Sequence, residues 1–186
     1  MNIINSKTGW IEVICGSMFS GKTEELIRRI HRAEYARQKI QVFKPKIDIR
    51  YENDCIVSHN KMKAASEIIT SVDEILSKVE DDTQVIAIDE VQFFDDEIVE
   101  VCNTLADEGK RVIVAGLDQD FTGKPFGPMP QLLAVAEYIE KVSAICVRCG
   151  NPANRTQRMV KESAKVLVGA DDIYEARCRN CHEVIS

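Results

Sequence analysis

The chain has no long apolar run. Its continuous hydrophobic stretches are short segments such as Val112 to Ala115, far below the roughly eighteen residues that a bilayer-spanning helix requires, so no membrane association is expected. The opening residues, Met1-Asn2-Ile3-Ile4-Asn5-Ser6-Lys7, lack a charged start followed by an apolar segment and a small-residue cleavage site, and export is not expected either. Basic residues are in the minority: 24 Lys and Arg against 30 Asp and Glu leave a net charge of −6. That balance argues against a protein that coats a nucleic-acid polymer through an extended basic surface. Repeats and low-complexity tracts are also missing. What is present, 186 residues with 45% hydrophobic and 29% charged, suits one substantial α/β domain with a small appendage. Seven cysteines in a chain without an export signal point to a reducing, cytoplasmic setting. There, thiols serve metal binding, catalysis or core filling rather than disulfides.

The hydrophobic pattern predicts a strand over Trp10 to Cys15, a glycine-bounded loop from Gly16 to Gly21, and a helix over Thr23 to Ala36 with Leu26, Ile27, Ile30 and Ala33 on one face. Ile40 to Phe43 reads as a strand ended by Pro45, and the polar Asp48 to Lys63 as a loop or small hairpin. Ser71 followed by Glu74 resembles a capping box opening a short helix to Val79. Val85 to Ile88 and Val112 to Ala115 are strands of the buried type, with a helix from Asp95 to Asp107 between them. Helix is expected again over Gln131 to Tyr138, and a last strand over Val142 to Ile145. Apolar strands alternating with amphipathic helices indicate a parallel sheet covered on both faces. The glycine- and proline-rich Asp118 to Pro130 should form a long ordered loop at the carboxyl end of its strand, the edge where such sheets bind ligands. From Ala144 onward there are seven Lys and Arg and five Asp and Glu, net +2, against 17 − 25 = −8 before it. This shift supports a division into 1–143 and 144–186.

Gly16-Ser17-Met18-Phe19-Ser20-Gly21-Lys22-Thr23 matches G-x-x-x-x-G-K-[ST] and falls between a predicted strand and a predicted helix. Glycines there let backbone N–H groups converge on phosphate oxygens, and the helix N-terminus adds its positive dipole. Lys22 can reach the β- and γ-phosphates, and the Thr23 hydroxyl can ligate Mg²⁺. An acidic protein can thus hold a polyphosphate locally. Asp89, at the end of the Val85 to Ile88 strand, fits the acid that holds the Mg²⁺ shell. Glu90, one residue on, could accept a proton from an attacking hydroxyl or water.

Cys146-Val147-Arg148-Cys149 and Cys178-Arg179-Asn180-Cys181 are two C-x-x-C pairs with 28 residues between them. Four thiolates at this spacing can close a tetrahedral, structural Zn²⁺ site with no position left open for catalysis. His182 is expected to be a solvated neighbour rather than a ligand. Cys15 and Cys102 sit in apolar patterns and read as core, and Cys55 has no partner motif. The long insert between the pairs suggests that the metal staples the base of a functional loop.

A phosphate loop with Asp89 and Glu90 supports either hydrolysis or transfer, so a single-domain ATPase and a zinc-ribbon nucleic-acid module stand beside a small-molecule kinase. A kinase needs a water-poor pocket. Met18, Phe19, Phe93, Phe94, Phe121 and Phe126 are candidates for walls around a flat heterocycle.

Taken together, the segments GSMFSGKT, KPKIDIRY, DEVQFF, GLDQDFTGKPFG, CVRCG, RTQR and YEARCRNCHEV resemble, in order and spacing, the type II, zinc-containing thymidine kinases over nearly the whole chain. The resemblance implies a P-loop (RecA-like) α/β sheet with helices on both faces and a small C-terminal zinc-ribbon or lasso domain. It implies transfer of the γ-phosphoryl of ATP to the 5′-hydroxyl of thymidine with Mg²⁺, giving dTMP and ADP. Glu90 would be the general base. Met18, Phe93, Leu117, Phe121, Phe126, Thr156 and Tyr174 would form the thymidine pocket, with backbone around Leu167 and Gly169 reading base and sugar. Asp48 and Arg50 would assist near the phosphates or metal. A homotetramer and feedback inhibition by dTTP are likewise implied.

Overall fold

A computed structural model describes residues 8–46, 55–57, 63–161 and 173–184. Strands are β1 (Trp10–Cys15), β2 (Ile40–Pro45), β3 (Cys55–Val57), β4 (Lys63–Ala65), β5 (Glu67–Ile69), β6 (Val85–Ile88), β7 (Arg111–Gly116) and β8 (Tyr138–Lys141), followed by the short β9 (Ala144–Ile145), β10 (Pro152–Ala153), β11 (Arg155–Arg158) and β12 (Tyr174–Arg177). Helices are α1 (Lys22–Tyr35), α2 (Asp73–Lys78), α3 (Glu97–Asp107) and α4 (Met129–Val135), with a 3₁₀ turn at Val91–Phe93.

The main sheet has six strands in the order β5-β2-β6-β7-β1-β8, and every pairing in it is parallel. The alternation along its apolar strands decides the two cores. Ile86 and Ile88 join Val13, Val112, Val114 and Phe43 against Ile75 of α2, Ile98 and Leu105 of α3, and Met129 and Leu132 of α4. Val85 and Ala87 face the other way, with Ile14, Ile113 and Ala115, onto Leu26, Ile27, Ile30 and Ala33 of α1. Each central strand is buried on both faces, which is why these strands read as unbroken apolar runs. A layer of charge closes the α1 side: Arg111 and Arg29 both pair with Glu12, at 2.6 and 2.5 Å.

Several local expectations are corrected. The helix at Gln131 ends at Val135, and the last strand of the main sheet is Tyr138–Lys141 rather than Val142 to Ile145. Every side chain of β8 is exposed, so this edge strand leaves no apolar signature; backbone pairing with β1 and the Glu137 carboxylate accepting the Ile11 N–H at 2.7 Å hold it in place. Ala144–Ile145 instead pairs antiparallel with β10. The three-residue β5 is too short to show a period. Glu74 does not form a capping box with Ser71; its carboxylate accepts from the hydroxyl and N–H of Thr70, and α2 starts at Asp73 with Val72 at its N-cap. β2 does end at Pro45, its last residue.

Beyond β8 come two small antiparallel pairs, β9 with β10 and β11 with β12. Their common core is Ala144, Cys146, Ala153, Ala176 and Cys178. So small an apolar core needs another source of stability.

Candidate active site and metal centre

β1 delivers the chain to Gly16, and α1 begins at Lys22, so the phosphate loop spans strand end to helix start at the carboxyl edge of the sheet. Lys22 is buried and its Nζ donates to the Ser17 carbonyl oxygen at 2.8 Å. The Ser20 hydroxyl donates to the same oxygen at 2.7 Å. Phe19 holds a left-handed backbone with φ of 64°. β6 lies two strands away from β1, and its end brings Asp89 to the loop: the Thr23 hydroxyl donates to Asp89 Oδ2 at 3.3 Å. A hydroxyl and a carboxylate side by side suit the two protein oxygens of a hydrated Mg²⁺.

Glu90 takes a left-handed conformation (φ 52°, ψ 38°), with its N–H donating to Asp89 Oδ1 at 2.9 Å. The reversal turns the two consecutive carboxylates apart and starts the 3₁₀ turn. Phe93, at the end of that turn, meets Phe126 edge to face at 5.7 Å between ring centroids, so the turn after β6 and the loop after β7 share one aromatic contact.

The zinc-side lobe touches the phosphate loop directly. Met18 N–H donates to Thr156 Oγ1 at 3.1 Å, and the Ser17 hydroxyl to the Ala153 carbonyl at 3.3 Å. Arg155 donates to Gly123 O at 3.0 Å and to the Gln119 side chain. His182 is not a solvated neighbour; its Nε2 donates to the Phe121 carbonyl at 2.9 Å. The 118–130 loop is therefore strapped from the C-terminal side.

Of the proposed pocket residues, Met18, Phe126, Thr156 and Tyr174 are buried. Leu117 is half-buried, with its N–H donating to Gln92 Oε1 at 3.0 Å. Two aromatic wall candidates fall elsewhere: Phe94 packs in the sheet core, and Phe19 packs against the small core of the C-terminal lobe. Asp48, Arg50, Leu167 and Gly169 lie outside the described residues. Two residues emerge that sequence reasoning does not single out. Arg158, 2% exposed, stacks its guanidinium 3.6 Å from the Phe121 ring centroid and donates to the Tyr174 hydroxyl at 3.0 Å. Gln92, also 2% exposed, bonds to Glu90. Arg158 belongs to the RTQR segment and Gln92 to the DEVQFF segment, so the resemblance alone draws the eye to them and no spacing along the chain does.

Cys146, Cys149, Cys178 and Cys181 bring their four Sγ atoms within 4.8 Å of one another, with Cys149 and Cys178 at 3.6 Å. Tetrahedral zinc with Zn–S near 2.3 Å implies S···S separations of about 3.8 Å, so the cluster fits a structural zinc. Its electrostatics agree. Burial pushes the Cys146 thiol up, but N–H groups of Cys178, Arg148 and Cys149 outweigh it and bring it down to about 6. Contacts with Cys178 and Cys149 push Cys181 up to about 12. Four adjacent thiolates repel, and a divalent cation relieves that conflict. By contrast, burial raises Cys15 to about 11 and Cys102 to about 12, as inert core thiols.

Phosphate loop, strand-end acid and parallel sheet together define a P-loop nucleotide-binding α/β protein with an appended cysteine-based metal lobe. The family model described as thymidine kinase matches residues 9–182, and the chain belongs to that family: it is a kinase that phosphorylates thymidine at the expense of ATP. The four-cysteine cluster is compatible with the zinc-containing type. A solved structure titled "ATPase" aligns over 92% of this chain and 80% of its own, with 14% identity and a TM-score of 0.43. No helix among the described residues is long and apolar enough to cross a membrane.

Proposed function

We propose that Glu90 is the general base of the thymidine kinase reaction. Its carboxylate takes the proton of the 5′-hydroxyl as that oxygen attacks the γ-phosphorus of ATP, and ADP departs with dTMP formed. The observation that carries this reading is the pair of consecutive carboxylates at the end of β6. Asp89 turns to Thr23 of the phosphate loop, and Glu90 turns away toward the turn that ends in Phe93 and its partner Phe126.

In this reading, residues 16–23 hold the triphosphate through backbone N–H groups, and Lys22 neutralises charge that builds on the transferred group. Thr23 and Asp89 would hold Mg²⁺, which would supply positive charge against the phosphates. Met18, Phe93, Leu117, Phe121, Phe126, Thr156 and Tyr174 line the nucleoside, with Leu167 and Gly169 reading base and sugar and Asp48 and Arg50 assisting at the phosphates. Residues 1–143 form the nucleotide-binding kinase domain and 144–186 a zinc-stapled lasso over the nucleoside. Straps from Arg155 and His182 to the 118–130 loop support that division of labour. A homotetramer, dTTP as feedback inhibitor and a cytoplasmic location complete the proposal.

Transfer of label from γ-labelled ATP tests it. Label should appear on thymidine, and Glu90→Gln should lower kcat by roughly 10²–10⁴-fold while ATP binding persists. Label released only as free phosphate, or an unchanged kcat in Glu90→Gln, refutes the assignment.

A further inference from the structure

Gln92 lies in the 3₁₀ turn two residues beyond Glu90 and is only 2% exposed. A primary amide in such a place must find partners for its donors and its acceptor. Here, Nε2 donates to Glu90 Oε2 at 2.5 Å and Oε1 accepts the Leu117 N–H at 3.0 Å. The turn that carries it packs against β2 and β7. Gly116 makes the second bond geometrically possible: a Cβ there would stand 2.7 Å from Gln92 Oε1 and 2.9 Å from both Met129 Sδ and Val91 Cγ1. The bare backbone at the end of β7 therefore admits the amide to the sheet.

Glu90 has a long side chain on a left-handed backbone that few non-glycine residues adopt. Left to its own rotamers, its carboxylate would sweep a wide arc, whereas a general base must meet its proton within about 2.6–3.2 Å. A donor on one carboxylate oxygen removes most of that arc. The donor is itself held, through Leu117, to the root of the loop that carries Phe121 and Phe126.

We propose that Gln92 is a positioning residue for thymidine phosphorylation: its amide bridges the Glu90 carboxylate to the Leu117 N–H and so sets the direction in which the base meets the sugar hydroxyl. The inference rests on Glu90 being that base. A side chain that merely filled the core would act on stability, independently of position 90.

Four proteins separate these possibilities: wild type, Gln92→Met, Glu90→Gln and the double variant. Methionine keeps the volume but offers no N–H. Loss of a hydrogen bond to a charged group should lower kcat by about 10- to 100-fold, with the ATP dissociation constant within about threefold of wild type. In the Glu90→Gln background the same substitution should change kcat by less than about twofold, because no base remains to be aimed. A Gln92→Met kcat within about twofold of wild type, or an equal loss in both backgrounds, overturns the proposal. An undiminished kcat in Glu90→Gln overturns the base assignment instead. Gln92→Glu retains the Leu117 acceptor and serves if the methionine variant does not fold. It should cost at least about tenfold in kcat with ATP affinity kept, and a wild-type kcat there overturns the proposal equally.

Discussion

Replacing Cys149 by serine opens the metal site and should act first on the nucleoside. The C-terminal lobe's apolar core is three alanines and two of the ligand cysteines. Three buried methyl groups supply only about 2–3 kcal/mol, whereas ordering each residue of the lobe costs about 1–2 kcal/mol. A structural zinc on the four cysteines would contribute roughly 10–16 kcal/mol and would be the term that holds the lobe. With it go the bonds that the lobe makes, among the described residues, to the phosphate loop and the 118–130 loop. Two reach the phosphate loop, Ser17 to Ala153 and Met18 to Thr156. Three reach the 118–130 loop, two from Arg155 and one from His182. At about 1 kcal/mol net each, the first pair limits the loss of ATP affinity to about 30-fold. The other three, together with the Arg158 stack on Phe121, place the rise in thymidine KM at roughly 100-fold or more. Metal analysis alongside the two KM values checks this. Zinc lost with a thymidine KM within about threefold of wild type would refute the coupling between staple and pocket.

The charged layer under α1 makes an acid-stability prediction. Burial pushes the Glu12 carboxyl up, but hydrogen bonds from Arg111 and Trp10 and the charges of Arg111 and Arg29 bring it below the ordinary value near 4.5. Its stabilisation is therefore complete above that value and is lost as pH falls through the lower folded value. Arg111→Met should lower Tm at pH 7 by roughly 3–10 °C, from about 1–3 kcal/mol, and should shrink the further fall in Tm between pH 7 and pH 3.5. An acid response equal to wild type would exclude Glu12 as its source. Gly127→Ala places a Cβ 2.4 Å from the Gln92 carbonyl oxygen at a φ of +47°. The neighbour is backbone and cannot swing aside, so a loss of about 2–4 kcal/mol, or roughly 5–15 °C in Tm, is expected by calorimetry.

The local chemistry of this site is largely legible in the amino-acid order. The phosphate loop, Asp89, the two C-x-x-C pairs and the succession of strands and helices are short-range patterns, each dictated by backbone geometry or ligand spacing within a few residues. What escapes are features with no local pattern. β8 is an edge strand with exposed side chains, and only its pairing with β1 makes it a strand. Phe94 and Phe93 are adjacent and alike in sequence, yet one packs into the core and the other meets Phe126. Met18 and Phe19 both meet the C-terminal lobe, Met18 through its N–H to Thr156 and Phe19 by packing on the lobe's small core, contacts that no local pattern announces.

By itself, then, the order of residues determined that this chain carries a G-x-x-x-x-G-K-[ST] loop between a strand and a helix, a strand-end aspartate followed by a second carboxylate, and four sulfurs able to share a metal, because those properties reside in spacing along the chain. Only the tertiary structure decided where the second carboxylate turns, that Gln92 ties it to β7, and that Arg158, Arg155 and His182 link the C-terminal lobe to the loop after that strand. Those contacts join residues distant along the chain, such as Gln92 and Leu117 or Phe121 and Arg158. Their existence depends on which strands lie side by side in the sheet.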